Sequence, residues 1–149
     1  DHESPPPCDA LIIESTYGDR LHEESGDAVK EKIRELVAHA VAHRSKIIVP
    51  AFAVGRTQDL VMRIKELVAD GRIDPLPIYI DSPLAVKATD IFRQHPECYD
   101  KETFRTFTSQ GDPFAARYIH YVSSVQESIK LNAMKGPGMI IAASGRQRR

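Results

Sequence analysis

A chain of 149 residues, 42% hydrophobic and 28% charged, has the length and composition of one globular domain with its own core. A net charge of −1 gives no global basicity to advertise nucleic acid, and no apolar run is long enough for a membrane span. Cys8 and Cys98 show no metal-binding spacing and exclude a disulfide framework, so free thiols in a reducing, cytoplasmic setting are expected.

The first nine residues, with the Pro5-Pro6-Pro7 run, read as an extended linker. A first strand is predicted over 10–14, where Leu11-Ile12-Ile13 ends abruptly on Glu14. A polar loop follows over 15–26 and contains Arg20, His22, Glu23 and Glu24. A helix over 27–43 is predicted from one apolar stripe: Val29, Ile33, Leu36, Val37, Ala40 and Val41. His39 and His43 share a face of it, but no Glu beside His39 completes a zinc-protease pattern. They read as exposed histidines in the last turns.

A second strand over 46–51 rests on Ile47-Ile48-Val49, with Pro50 ending its pairing. After Gly55 comes a helix over 57–70, striped by Leu60, Val61, Ile64, Leu67 and Val68, with Gly71 at its C-terminal cap. A third strand, 77–81, is followed by Ser82 as N-cap and Pro83 as first helical residue of a helix to Gln94. Residues 97–118 have no clear period. A fourth strand over 119–122, a helix opened by the capping box Ser124-Val125-Gln126-Glu127, and a fifth strand over 139–143 complete the order. Alternating strands and helices predict an α/β fold with a mainly parallel sheet and helices on both faces.

In such a sheet the carboxyl ends of the strands share one edge, where ligands gather. Glu14, Gly55-Arg56 and Asp81-Ser82 all fall at predicted strand ends. Glu14 there is either aimed at a site or spent on a helix cap or an ion pair. Gly55-Arg56 outlines a phosphate cradle, with amides at a helix start and a guanidinium fork, though it lacks the Lys-Ser/Thr ending of a P-loop. The alternative is a tight turn with a solvent-facing arginine. The six histidines form no His-x-His-x-Asp-His run, and no Gly-x-Ser-x-Gly elbow is present, so no catalytic set is complete.

Four blocks carry a family resemblance. Glu14-Ser15-Thr16-Tyr17-Gly18, continued by His22 and Glu23, is similar to the first motif of the β-CASP region of metallo-β-lactamase superfamily nucleases, including the RNase J type and the pre-mRNA 3′-end cleavage subunit. The blocks from Val49 to Gln58, from Ile80 to Ala85 and from Ile140 to Gly145 follow in the family's order. After Gly145 the sequence departs from the family's glycine-rich turn, with Arg146-Gln147-Arg148-Arg149 in its place.

The resemblance implies a β-CASP-like α/β domain over 10–145, between the linker 1–9 from a metallo-β-lactamase part and the tail 146–149. A first residue other than methionine agrees with a piece of a longer chain. It implies a parent enzyme hydrolysing RNA phosphodiesters with two zinc ions, DNA being the alternative substrate. This piece would form a wall of the RNA channel, inactive alone, with no metal site and no cofactor of its own. Glu14 matches the family's acidic motif and would orient a histidine supplied by the missing metallo-β-lactamase domain. Ser15, Arg56 and Ser82 would contact phosphate. A homodimer is left open. The competing reading is a stand-alone, non-catalytic α/β domain that binds a nucleotide or another phosphorylated ligand at the strand ends.

Overall fold

The computed structural model describes residues 6–19 and 26–143. Within them the chain runs α1 (Gly26–Ala42), β1 (Lys46–Ala51), α2 (Arg56–Ala69), β2 (Ile78–Asp81), α3 (Pro83–Gln94), a short 3-10 turn (Pro96–Cys98), α4 (Lys101–Gln110), β3 (Ile119–Tyr121), α5 (Val125–Asn132) and β4 (Gly138–Ala143). The four strands form one sheet in the order β1-β4-β2-β3, and all three pairings are parallel. The last strand in the chain therefore lies between the first two. Its register sets Ile48 opposite Ile140 and Tyr79 opposite Ile140 from the other side.

Side-chain alternation divides the sheet into two faces. Ile78, Ile80, Met139, Ile141 and Ile119 enter the main core with Val61, Ile64 and Leu67 of α2, Ile33 and Val37 of α1, and Ala85 of α3. Ile140 and Val122 point the other way and meet Leu131 at the end of α5. Helices thus cover both faces, as right-handed crossovers require. The chain crosses the sheet one way through α2 and α3, then turns back through α5, and the reversal moves the helix to the opposite face.

Local signals account for the helix ends. Ser82 Oγ accepts the Ala85 N–H at 3.2 Å with Pro83 in the first turn. Ser124 and Glu127 close a reciprocal capping box. Gly71, beyond α2, sits at φ +66°.

Pro50 does not end the pairing of β1, which stays in register with β4 at Pro50–Ala142 and Ala51–Ala143; β1 lies at one end of the strand order, where a missing N–H on the outer side costs no ladder bond. Two further expectations fail. Residues 10–14 form no strand: Leu11, Ile12 and Ile13 are exposed, Ile12 at 99%, and none joins the sheet. Three consecutive apolar residues report a demand for burial, but a strand also needs a hydrogen-bonding neighbour, and the described residues supply none. The second failure is α4 together with the 3-10 turn, in a stretch read as aperiodic. Its Thr and Ser residues are weak helix formers, and Phe104 and Phe107 make only a short apolar signal. The helix is started by Asp100, whose Oδ1 accepts the Thr103 N–H at 2.7 Å, and stopped at Gly111, φ +80°. Arg20, His22, Glu23, Glu24, Ser144, Gly145 and the tail lie outside the described residues.

A polar cluster ties the 111–118 loop to the helices. Asp112 accepts from Arg93 Nε at 2.8 Å, Arg93 lies 4.8 Å over the Tyr121 ring, and the Tyr121 hydroxyl donates to the Phe114 carbonyl at 2.7 Å. Burial pushes the Tyr121 phenol up from 10.0 to about 12, against the opposing pull of Arg93. A raised folded-state value means this contribution is intact below the unfolded value near pH 10 and is lost as pH rises toward 12. Tyr121→Phe should therefore cost about 1 kcal/mol near neutral pH, where the hydroxyl bond is missing. Between those two pH values the wild type should lose stability that the variant keeps, so the gap between them closes. Urea unfolding of both proteins across that range tests this; a constant difference would refute it.

Candidate nucleic-acid interface

Because every strand is parallel, the segments following β1, β2 and β3 emerge at one edge, and each leads into a helix start. After β1 the loop Phe52-Ala53-Val54-Gly55 turns sharply into α2. Gly55 adopts φ +80°, ψ −65°, a conformation that a residue with a Cβ rarely takes. That turn delivers Arg56 as the first residue of α2. Its side chain is exposed and has no hydrogen-bond or ion-pair partner among the described residues.

The backbone around Arg56 is less open than the cradle reading expects. The Arg56 N–H donates to the Val54 carbonyl at 3.1 Å, and the Thr57 N–H to the Phe52 carbonyl at 3.3 Å. The Thr57 hydroxyl donates to the same carbonyl at 2.8 Å. Two of the amides that would face an anion are therefore spent inside the loop. What remains for a phosphate is the guanidinium, supported by the helix dipole.

Arg56 lies in an open groove of about 440 Å³ that also involves Phe52, Leu60, Val29, Asp59 and Arg63. Phe52 is largely exposed at its mouth. Asp59 carries a negative charge into the groove, but it is held by Arg63, whose Nε donates to both carboxylate oxygens at 3.0 Å. Arg56 is thus left as the unpaired charge there.

Ser82 starts on the same edge, one strand beyond β4, so the two loops leave the sheet roughly 10 Å apart. Its side chain is buried, with the oxygen directed to the α3 start. Contact with a phosphate would compete with that cap. Asp81, the last residue of β2, accepts from the Ser128 hydroxyl at 2.8 Å and fastens α5 to the sheet.

Glu14 and Ser15 do not follow a strand of the sheet. They lie in the exposed 6–19 segment, where Glu14 Oε1 accepts the Thr16 N–H at 2.7 Å and the Gly18 N–H closes a turn onto the Ser15 carbonyl at 3.0 Å. Thr16, through its side chain and then its amide, holds the Glu14 carboxyl below the ordinary carboxylate value. Glu14 is therefore an exposed anion at neutral pH, held at its base and able to accept more hydrogen bonds.

Among the described residues no group of three His, Cys, Asp or Glu side chains is placed to hold a metal ion. His39 and His43 stack with ring centroids 4.1 Å apart, and both are exposed. The residues described do not by themselves fit the two zinc ions the resemblance implies. No described helix is long and apolar enough to cross a membrane.

Gln58 closes the Val49–Gln58 block, yet motif reading assigns it no role. It is 2% exposed and its side-chain amide bridges the Phe52–Gly55 loop and α3. The signal was present: a glutamine one turn ahead of Val61, on the buried side of an otherwise apolar helix face.

The chain resembles several characterised proteins along nearly its whole length. It is 30% identical over 146 residues to the protein called ribonuclease TTHA0252 from Thermus thermophilus, covering 97% of this chain and 33% of that protein. It is 34% identical over 143 residues to transcription termination factor FttA from Methanocaldococcus jannaschii, covering 94% and 22%. An RNase J-like protein of the same organism is 28% identical over 138 residues, covering 92% and 31%. The chain thus spans a third or less of the length of these relatives. The family model described as Beta-Casp domain matches residues 57–147, a span that begins in the first turn of α2, holds every later element including β4, and leaves out α1 and β1; by this match over more than half its length the chain belongs to the Beta-Casp domain family.

Proposed function

We propose that this chain forms a substrate-channel wall of a metal-dependent nuclease that hydrolyses RNA phosphodiester bonds. In this reading the two zinc ions are held by a metallo-β-lactamase part of the same protein, and the 149 residues supply no metal site. The observation carrying the proposal is Arg56: a guanidinium with no partner among the described residues, at a helix start on the strand-end edge of a domain whose relatives include a named ribonuclease. The exposed free thiols of Cys8 and Cys98 suit the cytoplasm. Glu14 is the acidic group that orients a histidine of the catalytic part, and Thr16 keeps it ionised for that task.

Arg56 touches backbone phosphate and reads no sequence. In the full-length protein, Arg56→Ala should weaken binding to two unrelated single-stranded RNAs by a similar factor, about fivefold to tenfold at low salt. The slope of log affinity against log salt should flatten by about 0.7, one phosphate's worth. Titrations at several salt concentrations measure both quantities, and matched DNA strands show whether the 2′-hydroxyl matters. Unchanged affinity and slope would make Arg56 a solvated surface residue and remove this reading of the loop.

A further inference from the structure

Gln58 has a hydrogen-bonding pattern that α2 alone does not explain. Its Nε2 lies 2.8 Å from Thr89 Oγ1, 3.2 Å from the Ala53 carbonyl and 3.5 Å from the Ala85 carbonyl. The Thr89 hydroxyl donates its own proton to the Ala85 carbonyl at 2.8 Å, so toward Gln58 it can only accept. Every neighbour of that nitrogen is an acceptor. Turning the amide over would set its oxygen against the Ala53 and Ala85 carbonyls, so those two acceptors decide the orientation. The consequence is that Oε1 is buried with no partner, the one such side-chain oxygen or nitrogen among the described residues. A bare buried acceptor is costly, and the donor bonds on the other side of the amide are what the arrangement retains.

Those donor bonds join two places that are far apart in the chain. Ala53 lies in the loop that ends at Gly55 and Arg56; Ala85 and Thr89 lie in the first turns of α3, just after Ser82. Gly55 gives that loop a left-handed turn, and no side chain caps the start of α2. The loop is instead held by Thr57 on the Phe52 carbonyl and by Gln58 on the Ala53 carbonyl. Only the second of these reaches another element of the sheet edge.

From this we propose that Gln58 is a positioning residue: its amide fastens the Arg56 loop to α3, so that the guanidinium is aimed at the RNA backbone before RNA arrives. The inference rests on the Arg56 reading above and deepens it. A preset arginine contributes its full contact, whereas one on a loosened loop loses part of it to ordering.

The test is a double-mutant cycle in the full-length protein, read as affinity for an oligo(U) strand and for a mixed-sequence RNA of equal length. Gln58→Met preserves side-chain length and removes the donors along with the bare acceptor. Arg56→Ala should weaken binding about fivefold to tenfold in the wild-type background but by less than about twofold in the Gln58→Met background. A purely structural glutamine would lower the melting temperature and leave the Arg56 effect undiminished. Thr89→Val provides a second cycle, because it removes the far anchor of the amide without touching α2; it should shrink the Arg56 effect in the same direction. If Gln58→Met does not fold, the Thr89 cycle decides. A full Arg56 effect in a folded Gln58→Met protein, or in Thr89→Val when the former is lost, overturns the proposal. Absence of any Arg56 effect in the wild type instead overturns the phosphate-contact reading itself.

Discussion

Phe114→Ala should destabilise the domain by about 3–5 kcal/mol, the largest single-residue effect expected here. Phe114 is 1% exposed and stands where the loop after α4 enters the core. Its ring meets Phe92 edge-on at 6.1 Å and Tyr99 edge-on at 6.4 Å, arrangements that add to the area buried. Its backbone is fixed at both ends: the N–H donates to Asp112 Oδ1 at 2.8 Å, and the carbonyl accepts from Tyr121. With the loop held in place the hole left by truncation cannot collapse, and an uncollapsed cavity is the costly case. Since domains of this kind are stable by only about 5–15 kcal/mol, the variant should stand near the limit of folding. Phe114→Leu, which refills most of the space, should cost clearly less. Denaturant midpoints at constant slope measure both. A loss below about 1 kcal/mol for the alanine variant would mean that the loop is not docked in solution.

Glu14→Gln should leave RNA affinity of the full-length protein within about twofold and lower single-turnover cleavage by roughly 10- to 100-fold. The amide keeps the shape of the side chain and can still accept the Thr16 N–H, so the local turn should survive. What disappears is the negative charge, and with it the preference for one imidazole tautomer and the support for its protonated form. The pattern is the opposite of that expected at Arg56, where binding falls and the cleavage rate of bound RNA persists. Rapid-quench cleavage at saturating enzyme, beside equilibrium binding, separates the two. Parallel losses in binding with an unchanged cleavage rate would place Glu14 on the RNA rather than behind a histidine.

Much of the architecture is readable from local chemistry. Ile47-Ile48-Val49, Ile78-Tyr79-Ile80 and Met139-Ile140-Ile141 are β-branched or apolar runs, and each lies within a strand of the sheet. Ser82-Pro83 and Ser124-Glu127 name their helix starts because capping is decided within four residues. The misses are non-local. Leu11-Ile12-Ile13 carries a strand's composition, but whether it pairs depends on a neighbour that local pattern cannot supply. For α4 the local evidence lay in Asp100 and Gly111 rather than in hydrophobic period. At the site, Arg56 could be picked out by its place before a helix. That its neighbouring amides are taken by Val54 and Phe52, and that Ser82 is occupied by its own cap, follows from loop geometry that residue types do not encode. Gln58 was visible as a polar residue on a buried stripe, yet its partners Ala85 and Thr89 belong to another helix.

The placement of β4 between β1 and β2 bears on how the molecule comes into being. During synthesis β1, α2, β2 and α3 all leave the ribosome before the strand that joins them, and until Gly138–Ala143 arrives β1 and β2 have no common neighbour. Until then the nascent chain holds β1 as an unpaired strand and the inner edge of β2 bare. Contacts spanning that much sequence close late and slowly. Exposed strand edges and apolar faces in the waiting intermediate are the surfaces that chaperones shield and that aggregation exploits. β4 is thus the strand that completes the described sheet, and with it the common edge at which Arg56 and Ser82 stand.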